Sequence, residues 1–253
     1  MRFPSRALSI AATALLAGSL AVAAPAAAQP APEVAVVLLT DVSDSIDGQE
    51  YEMVKAGYRA AFSDPDVISA ISASPGGVAV AYVEFSDADQ VILVEGWRLL
   101  TDAASSEAFG EAVGLAPRSS AGNTALAASL RQSAQLLLDS EFANARRLVI
   151  DIASDHPSDG GRAAAVRDRV VEVGITINAL PINDHRQVGT FNGTLSYGPQ
   201  HWGWGGMTEF YRRDIIGGVG SFLVEAADYS AFGEAFKRKL LLELLISQAA
   251  LAR

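Results

Sequence analysis

Near-continuous apolar runs of strand length recur along this chain, at residues 33–40, 78–85, 147–153 and 175–182. A strand that is apolar on both sides needs cover on both faces, the situation of a parallel sheet between two helical layers. The segments between these runs change period. Tyr51, Val54, Tyr58 and Phe62 recur at helical spacing within 47–62, as do the apolar residues at 126, 130, 134, 137 and 138 within 125–138. Further helices are expected at 67–72, at 101–115 with Thr101 or Ser105 as cap, from Gly160 and Gly161 to about Val173, at 207–216, and from Ser230 to about Leu245. Residues 91–100 read as another strand. Only S-D-A-D-Q at 86–90 separates it from the run at 78–85, too short a link for a crossover, so these two strands should pair antiparallel. A short strand is expected at 222–226. Strands alternating with helices make this an α/β chain: a Rossmann-like, doubly wound, mostly parallel sheet with one antiparallel edge strand and helices on both faces. One domain covering 33–253 accounts for all of it, after a short linker at 29–32.

The segment before the linker is different. Arg2 and Arg6 precede an uncharged, Ala-rich stretch from Ala7 to Ala24, and Ala26-Ala27-Ala28 has the small-residue pattern of a cleavage site. Residues 1–28 therefore read as a secretory signal, and the protein as exported, periplasmic or secreted. No later stretch is long and apolar enough to span a bilayer. The net charge of −10 repels nucleic acid, and the absence of cysteine excludes disulfides, thiolate metal sites and a Cys nucleophile.

In doubly wound sheets, ligands sit beyond the carboxyl ends of the strands. Three oxygen-rich loops occupy such positions: D-V-S-D-S at 41–45, S-S-A-G-N-T at 119–124 and S-D-H-P-S-D at 154–159. They offer carboxylates at Asp41 and Asp155 and hydroxyls at Ser43, Ser45 and Thr124. These are hard donors of the kind magnesium and manganese prefer. Each loop alone also fits ordinary turn and capping chemistry, and Thr124 is placed to cap the following helix. Asp151, within the strand, competes with Asp155 as the third-loop carboxylate.

At these residues the chain resembles the von Willebrand factor type A domain, whose metal-ion-dependent adhesion site (MIDAS) is D-x-S-x-S on a first loop, Thr on a second and Asp on a third. The resemblance implies a metal set of Asp41, Ser43, Ser45, Thr124 and Asp155. In it the serines and Thr124 bind the cation directly or nearly so, Asp41 and Asp155 act largely through water, and one position stays open for a partner's carboxylate. V-L-L-T-D-V-S-D-S-I-D, R-R-L-V-I-D-I-A-S-D and F-Y-R-R-D-I-I-G-G-V-G-S-F-L resemble an exported bacterial subgroup, DUF1194-type, over roughly residues 33–245. Two departures stand out: Asp44 where that subgroup usually has Gly, and Ser154 and His156 around Asp155 where Gly is commoner.

The Gly- and aromatic-rich stretch 184–206 has no period and is long for a plain connection. Tyr197, His201, Trp202 and Trp204 make it a candidate partner-binding loop, or a cover for the domain's own core. His185 and His201 lack an evident third ligand for zinc. Phosphate-loop, nucleophile-elbow and H-E-x-x-H signatures are missing. The expected function is thus binding of a protein ligand through a divalent cation, Mg2+ or Mn2+, by a non-enzyme. The alternatives are a metal-assisted hydrolase with Asp155 or His156 as base, and a metal-independent carbohydrate or peptide binder acting through 184–206.

Overall fold

The structure is a computed structural model. It describes residues 30–157, 162–183, 189–191, 194–196 and 206–251. Residues 1–28, expected to be a secretory signal, and the aromatic residues Tyr197, His201, Trp202 and Trp204 lie outside them, as does His185.

The elements in chain order are β1 (Val34–Asp41), α1 (Gly48–Phe62), α2 (Pro65–Ser72), β2 (Val78–Phe85), β3 (Val91–Leu100), α3 (Ala103–Leu115), α4 (Leu126–Leu138), β4 (Arg147–Ser154), α5 (Arg162–Glu172), β5 (Ile175–Pro181), β6 (Gly189–Phe191), β7 (Thr194–Ser196), α6 (Gly206–Phe210) and α7 (Phe232–Leu251). Five strands form one sheet in the order β3-β2-β1-β4-β5. β1 pairs parallel with β2 and β4, β4 parallel with β5, and β3 antiparallel with β2 at the edge. This is the doubly wound sheet with one antiparallel edge strand that the apolar runs require. β6 and β7 make a separate small hairpin.

Every residue of β1 is buried because both faces are covered. Val34, Val36 and Leu38 pack with α1, α2, α3 and α7, while Ala35, Val37 and Leu39 pack with α4, α5 and Tyr211. An aromatic cluster fastens α7 to α1: Tyr58 meets Phe236 with ring centroids 4.5 Å apart and Phe232 at 5.2 Å, both edge-on. The two helices touch at glycines. A Cβ on Gly57 would lie 2.7 Å from Phe232 Cδ1 and 2.9 Å from the backbone of Gly233. Gly57→Ala would gain helix propensity worth about 0.5–1 kcal/mol, but the clash with backbone should outweigh it, at about 1–3 kcal/mol. Thermal unfolding should show a net loss, whereas Gly48→Ala, with open space around it, should not. Equal melting temperatures for Gly57→Ala and the parent would contradict this packing.

Three local expectations need correction. Neither Thr101 nor Ser105 is the N-cap of α3. Asp102 caps it, accepting from Ser105 N, and Ser105 returns a bond to the Asp102 backbone N–H. The segment 207–216 is helical only in part: α6 ends at Phe210, and Tyr211–Ile215 form a π-helical turn that buries Tyr211 and Ile215. Residues 222–226 form no strand. They run along the free edge of β5 and bond to it one residue at a time, with Val224 N donating to Ala179 O (3.0 Å) and Asn183 N to Ala226 O (2.9 Å). This covers an edge that would otherwise expose unpaired backbone groups.

Candidate functional site

β1 and β4 are adjacent and parallel, so their carboxyl ends emerge side by side. Asp41 ends β1, and Asp155 follows Ser154, the last residue of β4. Both carboxylates are buried, at 2% and 4% exposure. Between them runs a line of hydroxyls. Thr124 Oγ1 donates to Ser43 Oγ (3.0 Å), Ser43 Oγ lies 3.1 Å from Ser45 Oγ, and Ser45 Oγ donates to Asp155 Oδ1 (3.0 Å). Since Ser45 gives its proton to Asp155, Ser43 is the donor in the middle link. The fold thus brings Asp41, Ser43, Ser45, Thr124 and Asp155 to one place, and the Thr124 hydroxyl is directed to Ser43. Ser45 and Thr124 are half-buried, so the site opens to solvent on their side.

Asp41 is held on both oxygens. Oδ1 accepts from Ser43 N at 2.8 Å, a tight local turn, and Oδ2 accepts from Ser154 Oγ at 2.6 Å. Even so, burial first and the Asp155 charge second push its carboxyl up from 3.8 to about 7, against these hydrogen bonds. Among the described residues no ion pair neutralises Asp41. Asp151 is elsewhere: it points into the α7 side and is paired with Lys239. His156 is half-buried, and burial lowers its pKa more than the Asp155 charge raises it.

Four further residues position this site; Ser154 and Asp44 stood out in the sequence only as departures from the subgroup pattern, and Tyr211 and Arg118 were not singled out at all. Ser154 bridges the first and third loops through Asp41. Tyr211 is fully buried in the π-helical turn and donates to His156 O (3.3 Å). Arg118 reaches across from the second loop to the first. Asp44, the departure in the first loop, ties that loop to the second. Its backbone N donates to Gly122 O (2.8 Å), and its Oδ1 accepts from Gly122 N (3.1 Å). Gly122 has φ +130°, which a residue with a side chain adopts poorly. The one sequence signal for Arg118 was a lone basic residue in a loop of small ones.

Two buried carboxylates that repel each other, interleaved with three hydroxyls, form an all-oxygen donor set suited to a hard divalent cation. Among the described residues no group of three or more His, Cys, Asp or Glu is placed to hold a metal ion, so a cation here would depend on the hydroxyls.

Comparisons with known proteins agree with this architecture. The sequence model of a family described as "Protein of unknown function (DUF1194)" matches residues 31–248. No curated protein sequence matches. Among solved structures, a von Willebrand factor type A protein from Catenulispora acidiphila is similar at a TM-score of 0.54 and 17% identity, over 83% of this chain and 42% of that one. Proximal thread matrix protein 1 from the mussel byssus, with a zinc-occupied MIDAS motif, has a TM-score of 0.56 at 16% identity, over 85% of this chain and 46% of its own. The pilus adhesin SpaC from Lactobacillus rhamnosus GG has a TM-score of 0.58 at 15% identity, over 85% and 30% respectively. The chain therefore spans less than half the length of each of these proteins. What they share with it is the fold.

Proposed function

We propose, from the premise that this chain belongs to the DUF1194 family and has the von Willebrand factor type A fold, that it is an exported, non-enzymatic domain that binds a protein ligand through a divalent cation. The observation that carries the reading is the hydroxyl line from Thr124 to Asp155, joined to the buried Asp41 carboxylate through Ser43. Ser43, Ser45 and Thr124 would hold the cation together with Asp41 and Asp155; Mg2+ or Mn2+ suits these oxygens best. When bound, the cation supplies a positive, Lewis-acidic point for a partner's carboxylate. The chain's own residues do the rest: Ser154 and Ser43 N orient Asp41, and Asp44 joins the first two loops.

Among the described residues no helix is long and apolar enough to cross a membrane. The reading is tested by calorimetric titration of Mg2+ and Mn2+ into chelator-stripped protein, and by pull-down from envelope extract with and without chelator. Because the Asp41 carboxyl sits at about 7, cation binding should expel its proton below that pH. Affinity should therefore rise from pH 5 to pH 8, by up to about tenfold per unit below pH 7 for one proton released. Absence of saturable binding at pH 8 at millimolar cation would sink the reading.

A further inference from the structure

We infer that Arg118 is a positioning residue of this site: it locks the first and second loops into one geometry and so sets cation affinity without touching the ion. The inference rests on the cation reading above. Its guanidinium makes five hydrogen bonds to four backbone carbonyls. Nη2 donates to Val42 O (2.6 Å) and Ser43 O (2.7 Å), Nη1 to Ile46 O (2.9 Å), and Nε to Ser120 O (3.1 Å) and Val42 O (3.2 Å). The three first-loop carbonyls bracket Ser43 and Ser45. A planar fork with fixed donors can serve this many acceptors at once; a single ammonium cannot.

The second loop is itself anchored from below. Ser119 N donates to Glu84 Oε2 (2.8 Å), and Lys55 Nζ donates to Ala116 O (2.8 Å). Glu84 is fully buried at the end of β2, and its other oxygen accepts from Tyr51 (2.8 Å) and Tyr82 (2.9 Å). Arg118 lies over the Tyr51 ring, 5.8 Å from its centroid. The loop is therefore tied to β2 and α1 at residues 116 and 119, and Arg118 carries that rigidity across to the serines. Charge argues the same way. A guanidinium beside a cation site repels the cation, so its presence there is accounted for by geometry and not by attraction.

The test uses the full chain as Arg118→Met and Arg118→Lys, the second retaining charge and stem to guard against loss of fold. Two quantities are read: amide hydrogen exchange at Asp44 and Gly122, and Mg2+ affinity by calorimetry. Both variants should exchange faster at these amides than the parent. Both should bind Mg2+ roughly 10–100-fold more weakly, the usual loss when a residue that orients metal ligands is removed, with Lys no better than Met. Parental affinity and exchange in either variant, or tighter binding by Arg118→Met, would overturn the inference. If the parent itself binds no Mg2+, the cation reading fails, and the claim about affinity goes with it. The exchange measurement still decides whether Arg118 holds the two loops together.

Discussion

Asp41→Asn should make the metal-free protein more stable at pH 8 while abolishing its response to cation. The Asp41 carboxyl is buried and titrates near 7, well above its ordinary 3.8, because burial and then the Asp155 charge oppose ionisation. A carboxyl with a raised folded pKa contributes stability that is complete below the unfolded value and is lost as pH rises through the folded one. The metal-free parent should therefore weaken between about pH 4 and pH 7. At pH 8 the charged group costs on the order of a few kcal/mol. Asparagine keeps an acceptor for Ser43 N and carries no charge, so the penalty disappears. At pH 5, where the parent's Asp41 is already protonated, variant and parent should differ little. One of the two carboxylates proposed to hold the ion is then neutral, however, and Mg2+ should no longer raise the melting temperature. Thermal unfolding at both pH values, with chelator or with Mg2+, reads all four combinations. A variant that keeps the parental Mg2+-dependent rise would refute the role of Asp41.

The second large effect lies on the α7 side of the sheet. Lys239 is fully buried and paired with Asp151, itself 4% exposed. Glu243, one turn further along α7, takes Arg147 Nη1 at 2.5 Å and also Asn178 Nδ2. Lys239→Met should leave the Asp151 carboxylate buried and uncompensated, at a cost of about 3–5 kcal/mol. For a chain of this size that lowers the melting temperature by roughly 2–4 °C per kcal/mol. Lys239→Met combined with Asp151→Leu should recover most of the loss, because two apolar side chains of similar volume can replace a buried pair. A single variant as stable as the parent would show that the pair is not charged in the folded state. Cation affinity separates Asp151, within β4, from Asp155, just after it: the double variant, which removes Asp151, should keep affinity at pH 8, and Asp155→Asn should lose it.

How much of this was legible in the chain differs by level. β2 and β3 begin and end where their apolar runs do, and the five-residue link between them dictated an antiparallel pair. These are local facts, set by side-chain period and linker length. The 222–226 segment misled for a physical reason. Phe222, Leu223 and Val224 have strand composition, but pairing depends on the edge they meet, and Asn178 Oδ1 already engages Phe222 N there. The π-helical turn at Tyr211–Ile215 likewise follows from what that turn packs against.

For the site, the sequence by itself determined the donor types, their order along the chain and, for the first and third loops, their position after β1 and β4; the carboxyl ends of parallel strands lie on one edge, so those two loops had to meet, whereas the second loop lies between α3 and α4 and was brought there by the fold. It also determined, through the double-sided apolar runs, that helices must cover both faces. Only the tertiary structure decided that Asp151 belongs to Lys239 while Asp155 receives Ser45, that Ser154 and not only Ser43 holds Asp41, and that Arg118 binds the first loop's backbone. Those assignments join residues many positions apart and depend on burial and distance. Removing a charge from water makes its nearest partner decisive, and which partner is nearest is a property of the folded chain alone.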